Sequence, residues 1–354
     1  MPSSSGKSLL VLALPGIGDC LIASDSWAWL RQHLPDWRFD ALTMFPSATD
    51  FLRSTGIFDT VTEFNFLSHS ATESFRFLTP LRGRYEATLL PFPSNGIKYN
   101  LATAWIRAPV RVGYDYAHDS RRNLSLLNNV RIPEEGAASN RTHNFRAAAA
   151  LLKVVTGKDW VPPSGHPFRP AHKPPSVLTF GFHTYSSTFK NMHRKCWPPE
   201  HFAELIKSLK SRFPSSHIKV FAGPSDQENL NLITRLVFPL PMETVSERDF
   251  THTMSHIRNC SVFISNDSGL AHAAGALNIP TVVLYGPTDA KRLYDWDNPH
   301  RIVRQSLPCQ PCFFYSSRPL SCHASLDYAC IRQLPVGEVL RAVEELIPEV
   351  SGAR

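Results

Sequence analysis

The 354-residue sequence lacks the features that mark membrane, secreted, repeat and nucleic-acid-binding proteins. No apolar stretch approaches the ~20 residues that a transmembrane helix needs. A short apolar run near the amino terminus is followed by a glycine loop and no small-residue cleavage signal, so it predicts a strand rather than a signal peptide. No fixed-period repeat and no nucleic-acid-binding motif is present. These absences leave a cytoplasmic α/β enzyme as the expected class.

The net charge of the chain indicates which partners it favours. The chain has 37 Lys and Arg against 30 Asp and Glu, a net charge of +7. This modest excess suits a phosphorylated or membrane-surface partner, including peripheral contact with the inner membrane face.

Residues 160–175 read WVPPSGHPFRPAHKPP, with too many prolines for a helix or a central strand. We therefore predict an amino-terminal domain 1–160, a linker 161–175 and a carboxyl-terminal domain 176–354.

The amino-terminal domain opens with a buried-type strand, SLLVLAL, that leads into a glycine turn and a helix. Gly16 and Gly18 are present, but Leu21 stands where the dinucleotide fingerprint needs its third glycine. The turn is thus a poor dinucleotide cradle. It does place Asp19 after the strand, at the sheet edge where open α/β proteins bind ligands. The alternative is that Asp19 only caps its helix.

Residues 265–289, SNDSGLAHAAGALNIPTVVLYGPTD, predict a turn, a small-residue helix, a buried strand and a second loop. Asp267 and Ser268 precede the helix, Gly269 allows close approach to the backbone, and His272 follows one turn later. Unpaired N–H groups and the helix dipole favour an anion at such a turn. The alternative is an N-capped helix that binds nothing.

Two further loops follow predicted strands. The first carries Ser187, Thr188, Lys190 and Lys195, and precedes Trp-Pro and an amphipathic helix. Hydroxyls and lysines at a strand end suit a phosphate, although a solvated basic loop is the alternative. The second, 223–228, carries Asp226 and Glu228, which could bind ribose hydroxyls or stabilise the start of the next helix.

These motifs resemble those of the ADP-heptose:lipopolysaccharide heptosyltransferase family. The resemblance covers D-S-G-x-x-H-x-A and P-T-V-V-L-Y-G-P-T within 265–289, the strand–G-x-G-D start, and the Lys before Trp-Pro. It implies the GT-B architecture, with two Rossmann-like domains whose parallel sheets face across a cleft. It also implies inverting transfer of a heptose from an ADP-sugar to a glycan or glycolipid hydroxyl, such as lipopolysaccharide core.

The same resemblance implies roles for individual residues. Asp19 matches the catalytic base, and Lys195 matches the lysine that stabilises the leaving diphosphate. The implied donor-binding residues are Ser187, Thr188, Lys190, Glu228, Asp267, Ser268, Gly269 and His272. No Asp-x-Asp metal clamp is assigned, because Asp295-Trp296-Asp297 is interpreted as surface, and catalysis is expected to need no metal.

The acceptor is expected to meet the amino-terminal domain. Residues 76–122 contain eight Lys and Arg against three Asp and Glu, with interleaved aromatic residues. Arginine forks suit phosphate and carboxylate groups, although scattered arginines are usually a solvated face. Arg111 is the first choice, because its segment R-V-G-Y also resembles the family. Arg82 and Lys98 are the other candidates.

Four of the seven cysteines, Cys309, Cys312, Cys322 and Cys330, lie close together near the carboxyl terminus. Four thiolates could hold a structural zinc or iron, but only the first pair has the C-x2-C spacing. A cytoplasmic setting disfavours structural disulfides. Unligated or redox-linked thiols are the alternative interpretation.

Two rival functions stay open at this point. One is a nucleotide-sugar isomerase of the same architecture, similar to UDP-sugar 2-epimerases, which would need additional acid–base residues. The other is a non-catalytic nucleotide-sugar-binding homologue, which would not need Asp19 or Lys195.

Overall fold

A computed structural model describes residues 7–94, 96–116, 123–166, 171–314 and 319–350, without the side chains of residues 224 and 348–350. The chain divides into two compact units, Met1–Phe168 and Arg169–Arg354. The segment 161–175, predicted as a linker, spans this division, and its residues 167–170 lie outside the described residues. No helix in the described ranges combines the length and the apolar character needed to cross a membrane.

The first unit contains a six-stranded parallel sheet in the order β3-β2-β1-β4-β5-β6. The strand Ser8–Ala13, in the middle of this sheet, is buried at every position, as expected for a strand covered on both faces. The strands are β1 (Ser8–Ala13), β2 (Arg38–Thr43), β3 (Thr60–Glu63), β4 (Ala87–Leu89), β5 (Val110–Asp115) and β6 (Val130–Pro133).

Helices connect these strands, and two of the five that the described residues form have side-chain caps. Ser139 caps the last helix by accepting from the Thr142 N–H, and Gly157 ends it in the left-handed conformation. Short 3-10 turns occupy 79–81 and 125–127. The helices are α1 (Ile17–His33), α2 (Pro46–Ser54), α3 (Ala71–Leu78), α4 (Ile97–Ile106) and α5 (Asn140–Thr156).

The second unit repeats this plan with a parallel sheet in the order β9-β8-β7-β10-β11-β12. Its strand β10 is buried throughout. The strands are β7 (Thr179–His183), β8 (His217–Phe221), β9 (Glu243–Val245), β10 (Val262–Asn266), β11 (Thr281–Leu284) and β12 (His300–Val303).

The helices of this unit pack around a core that includes Trp197, which is almost fully buried. Asn278 takes a left-handed conformation, with φ of 59°, and Pro280 follows, so the small-residue helix ends before the buried strand, in the order that the sequence predicted. The helices are α6 (Pro199–Arg212), α7 (Gln227–Val237), α8 (Phe250–Arg258), α9 (Gly269–Ala276), α10 (Ala290–Leu293), α11 (Ala329–Arg332) and α12 (Val336–Val350).

Both sheets therefore have the 3-2-1-4-5-6 strand order of the doubly wound Rossmann fold. In each sheet, the second and third strands are added on one side of the first strand, and the fourth to sixth strands on its other side. This change of side, called the strand-order reversal here, creates a crevice at the carboxyl ends of the first and fourth strands. In the first unit these strands are β1 and β4, and in the second β7 and β10. The predicted α/β class with two Rossmann-like halves is confirmed.

Candidate functional site

A buried ion pair lies at the strand-order reversal of the second sheet. Lys195 comes from the loop after β7, and Asp267 follows β10 directly. The Lys195 Nζ lies 2.5 Å from Asp267 Oδ2, and the same oxygen accepts from Thr288 Oγ1 at 2.7 Å. Both members of the pair are at least 90% buried. Three separate loops thus converge on one carboxylate.

The charge state of this pair follows from its surroundings. Burial alone would raise the pKa of Asp267, but the charges of Lys195 and His272 and hydrogen bonds from Lys195 and Thr288 outweigh it and lower the pKa. Asp267 is therefore ionised at neutral pH. A cation held by an ionised partner is a preorganised anion site, because its position is fixed before the anion arrives.

Ser268 is the N-cap of α9 and lies at the centre of a small polar network. Its hydroxyl accepts from the Ala271 N–H at 3.4 Å and contacts Ser265 Oγ at 3.0 Å. His183 Nδ1, at the end of β7, lies 2.8 Å from the same hydroxyl. Burial lowers the pKa of His183 to about 4, so this imidazole is neutral at pH 7. The network fixes the hydroxyl at the positive end of the helix.

His183 was not among the predicted site residues. Its other nitrogen, Nε2, lies 3.8 Å from Asp226 Oδ2. Asp226 also accepts from the Gly223 N–H at 2.9 Å, so its carboxylate holds its own loop and faces His183. Glu228, by contrast, is exposed in the first turn of α7.

His272 is buried one turn into α9. Its Nδ1 accepts from Trp296 Nε1 at 3.1 Å, and burial lowers the pKa of the imidazole to about 4. Trp296 also packs on Gly275, where an added Cβ would lie 2.7 Å from the indole ring. The interpretation of residues 295–297 as surface is therefore wrong for Trp296, although Asp295 and Asp297 are exposed.

Three further candidates, Ser187, Thr188 and Lys190, lie in the loop between β7 and Lys195. Ser187 and Thr188 are exposed, and Lys190 is half-buried in a left-handed conformation with φ of 53°. Burial and then the charges of Asp226, Cys196 and Glu228 raise the pKa of Tyr185, so Glu228 lies near the loop that follows β7. Gly269 is the first residue of α9, beside Ser268.

Asp19 lies at the strand-order reversal of the first sheet. It is half-buried in the first turn of α1, whose N-cap is Gly16 without a side-chain bond, so Asp19 is not the N-cap. Tyr99 of α4 lies near it, since burial and then the charge of Asp19 raise the pKa of Tyr99 to about 12. Asp19 thus lies near the start of α4, the helix that follows β4.

The three acceptor candidates are not brought together. Lys98 is exposed near the start of α4, and Arg82 is exposed with its guanidinium 5.0 Å from the centre of the Trp105 ring. Arg111 is the second residue of β5, near the amino end of the strand and away from the carboxyl-end edge where Asp19 lies. Its Nε and Nη1 donate to the carbonyls of Leu127 and Ala108, both at 2.8 Å. Among these three residues, Lys98 lies closest in the fold to the edge that holds Asp19.

The four carboxyl-terminal cysteines line one cavity of about 40 Å³. Their segment supports the donor loops through backbone bonds. The N–H groups of Cys312 and Phe313 both donate to the Pro287 carbonyl, and the Leu320 N–H donates to the Lys190 carbonyl. The cysteine segment therefore holds both the loop that carries Thr288 and the loop that carries Lys195.

Thiol sulfurs are ligands that suit zinc or iron, but the four cysteines are not placed as a set of metal ligands. Within the described ranges, no group of three or more His, Cys, Asp or Glu side chains is placed to hold a metal ion. Backbone N–H groups, first that of Tyr328, lower the pKa of Cys322, whereas burial raises that of Cys330 to about 11.

Two Rossmann-like halves, with a lysine and a helix N-terminus at the strand-order reversal of the second, define an α/β protein of the doubly wound class with a sheet edge suited to an anion. Comparison with known sequences makes the class specific. The sequence model of glycosyltransferase family 9 (heptosyltransferase) matches residues 94–322, and the chain belongs to this family.

Individual relatives agree over shorter spans. Lipooligosaccharide heptosyltransferase 2 of Campylobacter jejuni is 28% identical over 158 residues, which are 43% of this chain and 47% of that protein. Lipopolysaccharide heptosyltransferase 2 of Escherichia coli K12 is 31% identical over 114 residues, 31% of this chain and 32% of that protein. The chain spans less than half the length of these curated relatives.

Solved structures agree over nearly the whole length. E. coli ADP-heptose lipopolysaccharide heptosyltransferase II has a TM-score of 0.71 at 20% identity, covering 98% of this chain and 99% of that chain. The iron-containing dodecameric glycosyltransferase TibC from enterotoxigenic E. coli has a TM-score of 0.58 at 15% identity, covering 99% and 78%. At these identities the likeness establishes the fold.

Proposed function

We propose that the chain is an inverting glycosyltransferase that moves a heptose from an ADP-sugar to a hydroxyl of a glycan acceptor of the lipopolysaccharide-core type. The observation that carries the proposal is the buried Lys195–Asp267 pair beside the N-terminus of α9. Family membership supports the reaction class, and the names of the relatives support the sugar and the base.

On the donor side, the diphosphate would lie against Lys195, the Ser268 hydroxyl and the first N–H groups of α9. Lys195 and the helix dipole both favour negative charge, and the charge on the diphosphate grows as the glycosidic bond breaks. Asp267 would keep the lysine ammonium in place. Glu228 would accept hydrogen bonds from the ribose, because its exposed carboxylate follows a Rossmann strand.

On the acceptor side, the Asp19 carboxylate would accept the proton of the attacking hydroxyl. The hydroxyl oxygen bonds to the anomeric carbon as the bond from that carbon to the diphosphate oxygen breaks. The bonding electron pair leaves with the nucleoside diphosphate, and a single displacement inverts the configuration.

Calorimetric titration with ADP, GDP and UDP tests the donor assignment. We expect ADP to bind most tightly, and a tenfold preference corresponds to about 1.4 kcal/mol. Mass spectrometry of the nucleotide-sugar that co-purifies with the protein identifies the sugar. Equal affinity for the three nucleotides would contradict the ADP assignment, and the absence of binding to all three would contradict the donor site itself.

For the cysteine cluster we propose unligated thiols, because their positions do not form a ligand set. Protein purified without affinity metal is expected to contain substoichiometric zinc or iron. Cys322, with its lowered pKa, is expected to be alkylated faster than Cys330 in the folded protein. The iron of TibC makes metal the specific alternative. About one metal ion per chain, with all four thiols protected from alkylation, would establish a ligand role instead.

A further inference from the structure

His183 lies between two of the loops that carry the donor candidates. It is the last residue of β7, and the register of the sheet pairs it with Ser265 of β10 on one side and Phe221 of β8 on the other. Ser268 follows β10, and Asp226 follows β8. The two loops therefore leave neighbouring strands on either side of the histidine.

The two nitrogens of the imidazole face one group from each of these loops. Nδ1 lies 2.8 Å from Ser268 Oγ, within hydrogen-bond distance. Nε2 lies 3.8 Å from Asp226 Oδ2, which is an electrostatic contact rather than a hydrogen bond. The side chains of His183 and Asp226 are only 12% and 5% exposed, and polar contacts are stronger in such surroundings than in water. His183 thus spans the distance from one loop to the other.

Each of the two groups that His183 faces also fixes the start of a helix. Ser268 caps α9 through the Ala271 N–H, and the Asp226 carboxylate accepts from the Gly223 N–H just before α7. Under the proposed function, the start of α9 receives the diphosphate and the loop 223–228 receives the ribose. The spacing of the two helix starts then has to match the length of the nucleotide, and a spacing fixed in advance favours binding.

The protonation state of the imidazole suits this position. Burial lowers the pKa of His183 to about 4, so at pH 7 one ring nitrogen carries a proton and the other a lone pair. A neutral ring can donate from Nδ1 to the Ser268 oxygen, which leaves the hydroxyl proton free to turn toward an anion. His183 can therefore hold Ser268 as a hydrogen-bond donor to a phosphate oxygen.

We propose that His183 is a positioning residue of the donor site, which holds the diphosphate end and the nucleoside end at one spacing. The inference rests on the proposed function, because that function assigns the two ends of the donor to the two loops. Loss of the bridge should lower the affinity for a whole nucleoside diphosphate more than the affinity for inorganic pyrophosphate, which contacts one end only.

Calorimetric titration with ADP and with inorganic pyrophosphate tests the proposal. His183→Asn keeps an amide group near the position of Nδ1, beside Ser268, but does not extend to Asp226. It is expected to bind ADP about tenfold more weakly than the wild type, and pyrophosphate nearly as tightly. His183→Phe keeps an aromatic ring and removes both nitrogens, so its affinity for both ligands is expected to fall about tenfold or more.

Ser265→Ala is the matched control. Ser265 Oγ also contacts Ser268 Oγ, at 3.0 Å, but it lies on β10, on the Ser268 side of the histidine. Its removal is expected to weaken the binding of both ligands by the same factor, so the ratio of the two affinities stays at the wild-type value. Circular dichroism and denaturant unfolding verify that each variant is folded at the temperature of the titration.

Two results would overturn the proposal. Wild-type affinity for ADP in His183→Phe would show that the ring only fills space. A wild-type ratio of the ADP and pyrophosphate affinities in His183→Asn would show that the contact with Asp226 is not needed, and this ratio decides the question if His183→Phe does not fold. Failure of the proposed function has a different signature, because the wild-type protein itself would then not bind ADP, and the inference would fall with it.

Discussion

Replacing Asp19 by asparagine or alanine is expected to reduce the rate of sugar transfer by roughly 10²–10⁴-fold, the usual contribution of a general base. Asparagine keeps the size and the hydrogen-bonding oxygen of the side chain but cannot accept the proton. ADP affinity should stay near the wild-type value, because Asp19 belongs to the first unit and the donor candidates to the second. Transfer rate and ADP affinity are measured on the same preparations.

The substitution at Asp19 is expected to change the stability of α1 little. Gly16, not Asp19, is the N-cap of α1, so the substitution removes no cap, and the lost interaction of the carboxylate with the helix dipole costs about 0.3–1 kcal/mol. Denaturant unfolding should therefore change little. A wild-type transfer rate in Asp19→Asn would show that the carboxylate is structural. A lost rate together with a large loss of stability would show that α1 had been damaged and would not identify a base.

The inner strands could be predicted because both faces of such a strand are buried, so its sequence is a continuous apolar run. The loops that follow these runs could be located in the same way. The residues that follow those runs share one sheet edge, so Lys195 and Asp267 could be expected to lie near each other although 72 residues separate them. Four strands, β3, β6, β9 and β12, lack a long apolar run, and they are the edge strands of the two sheets. An edge strand is only partly covered, and its polar residues hide the pattern.

The roles of other residues could not be predicted, because they depend on contacts with residues that are distant in the sequence. His183 ends an apolar strand, and its role is set by Ser268, 85 residues away. Arg111 belongs to a basic stretch, but strand register and two carbonyl partners decide what its guanidinium does. Trp296 stands between two acidic residues, a surface-like pattern, while the missing side chain of Gly275 provides the space that buries it.

Lys195→Ala is expected to weaken ADP binding by about 10- to 100-fold, which corresponds to the 1.5–3 kcal/mol of a hydrogen bond to a charged group. It should also slow transfer, because the leaving diphosphate carries more charge than the bound donor. The variant leaves the buried Asp267 with Thr288 as its remaining hydrogen-bond donor in the described site. A loss of stability is expected with it, since a buried charge without its partner is costly.

Asp267→Asn is the control that separates the two effects. It breaks the same buried ion pair and leaves Lys195 charged, so its stability should also fall, while its affinity for ADP should equal or exceed that of the wild type. The comparison requires unfolding curves and calorimetric ADP titrations of both variants at a temperature where both are folded. If ADP affinity falls equally in the two variants, the pair serves to hold the loops together. If neither variant changes ADP affinity, the diphosphate binds elsewhere, and the proposed donor site is wrong.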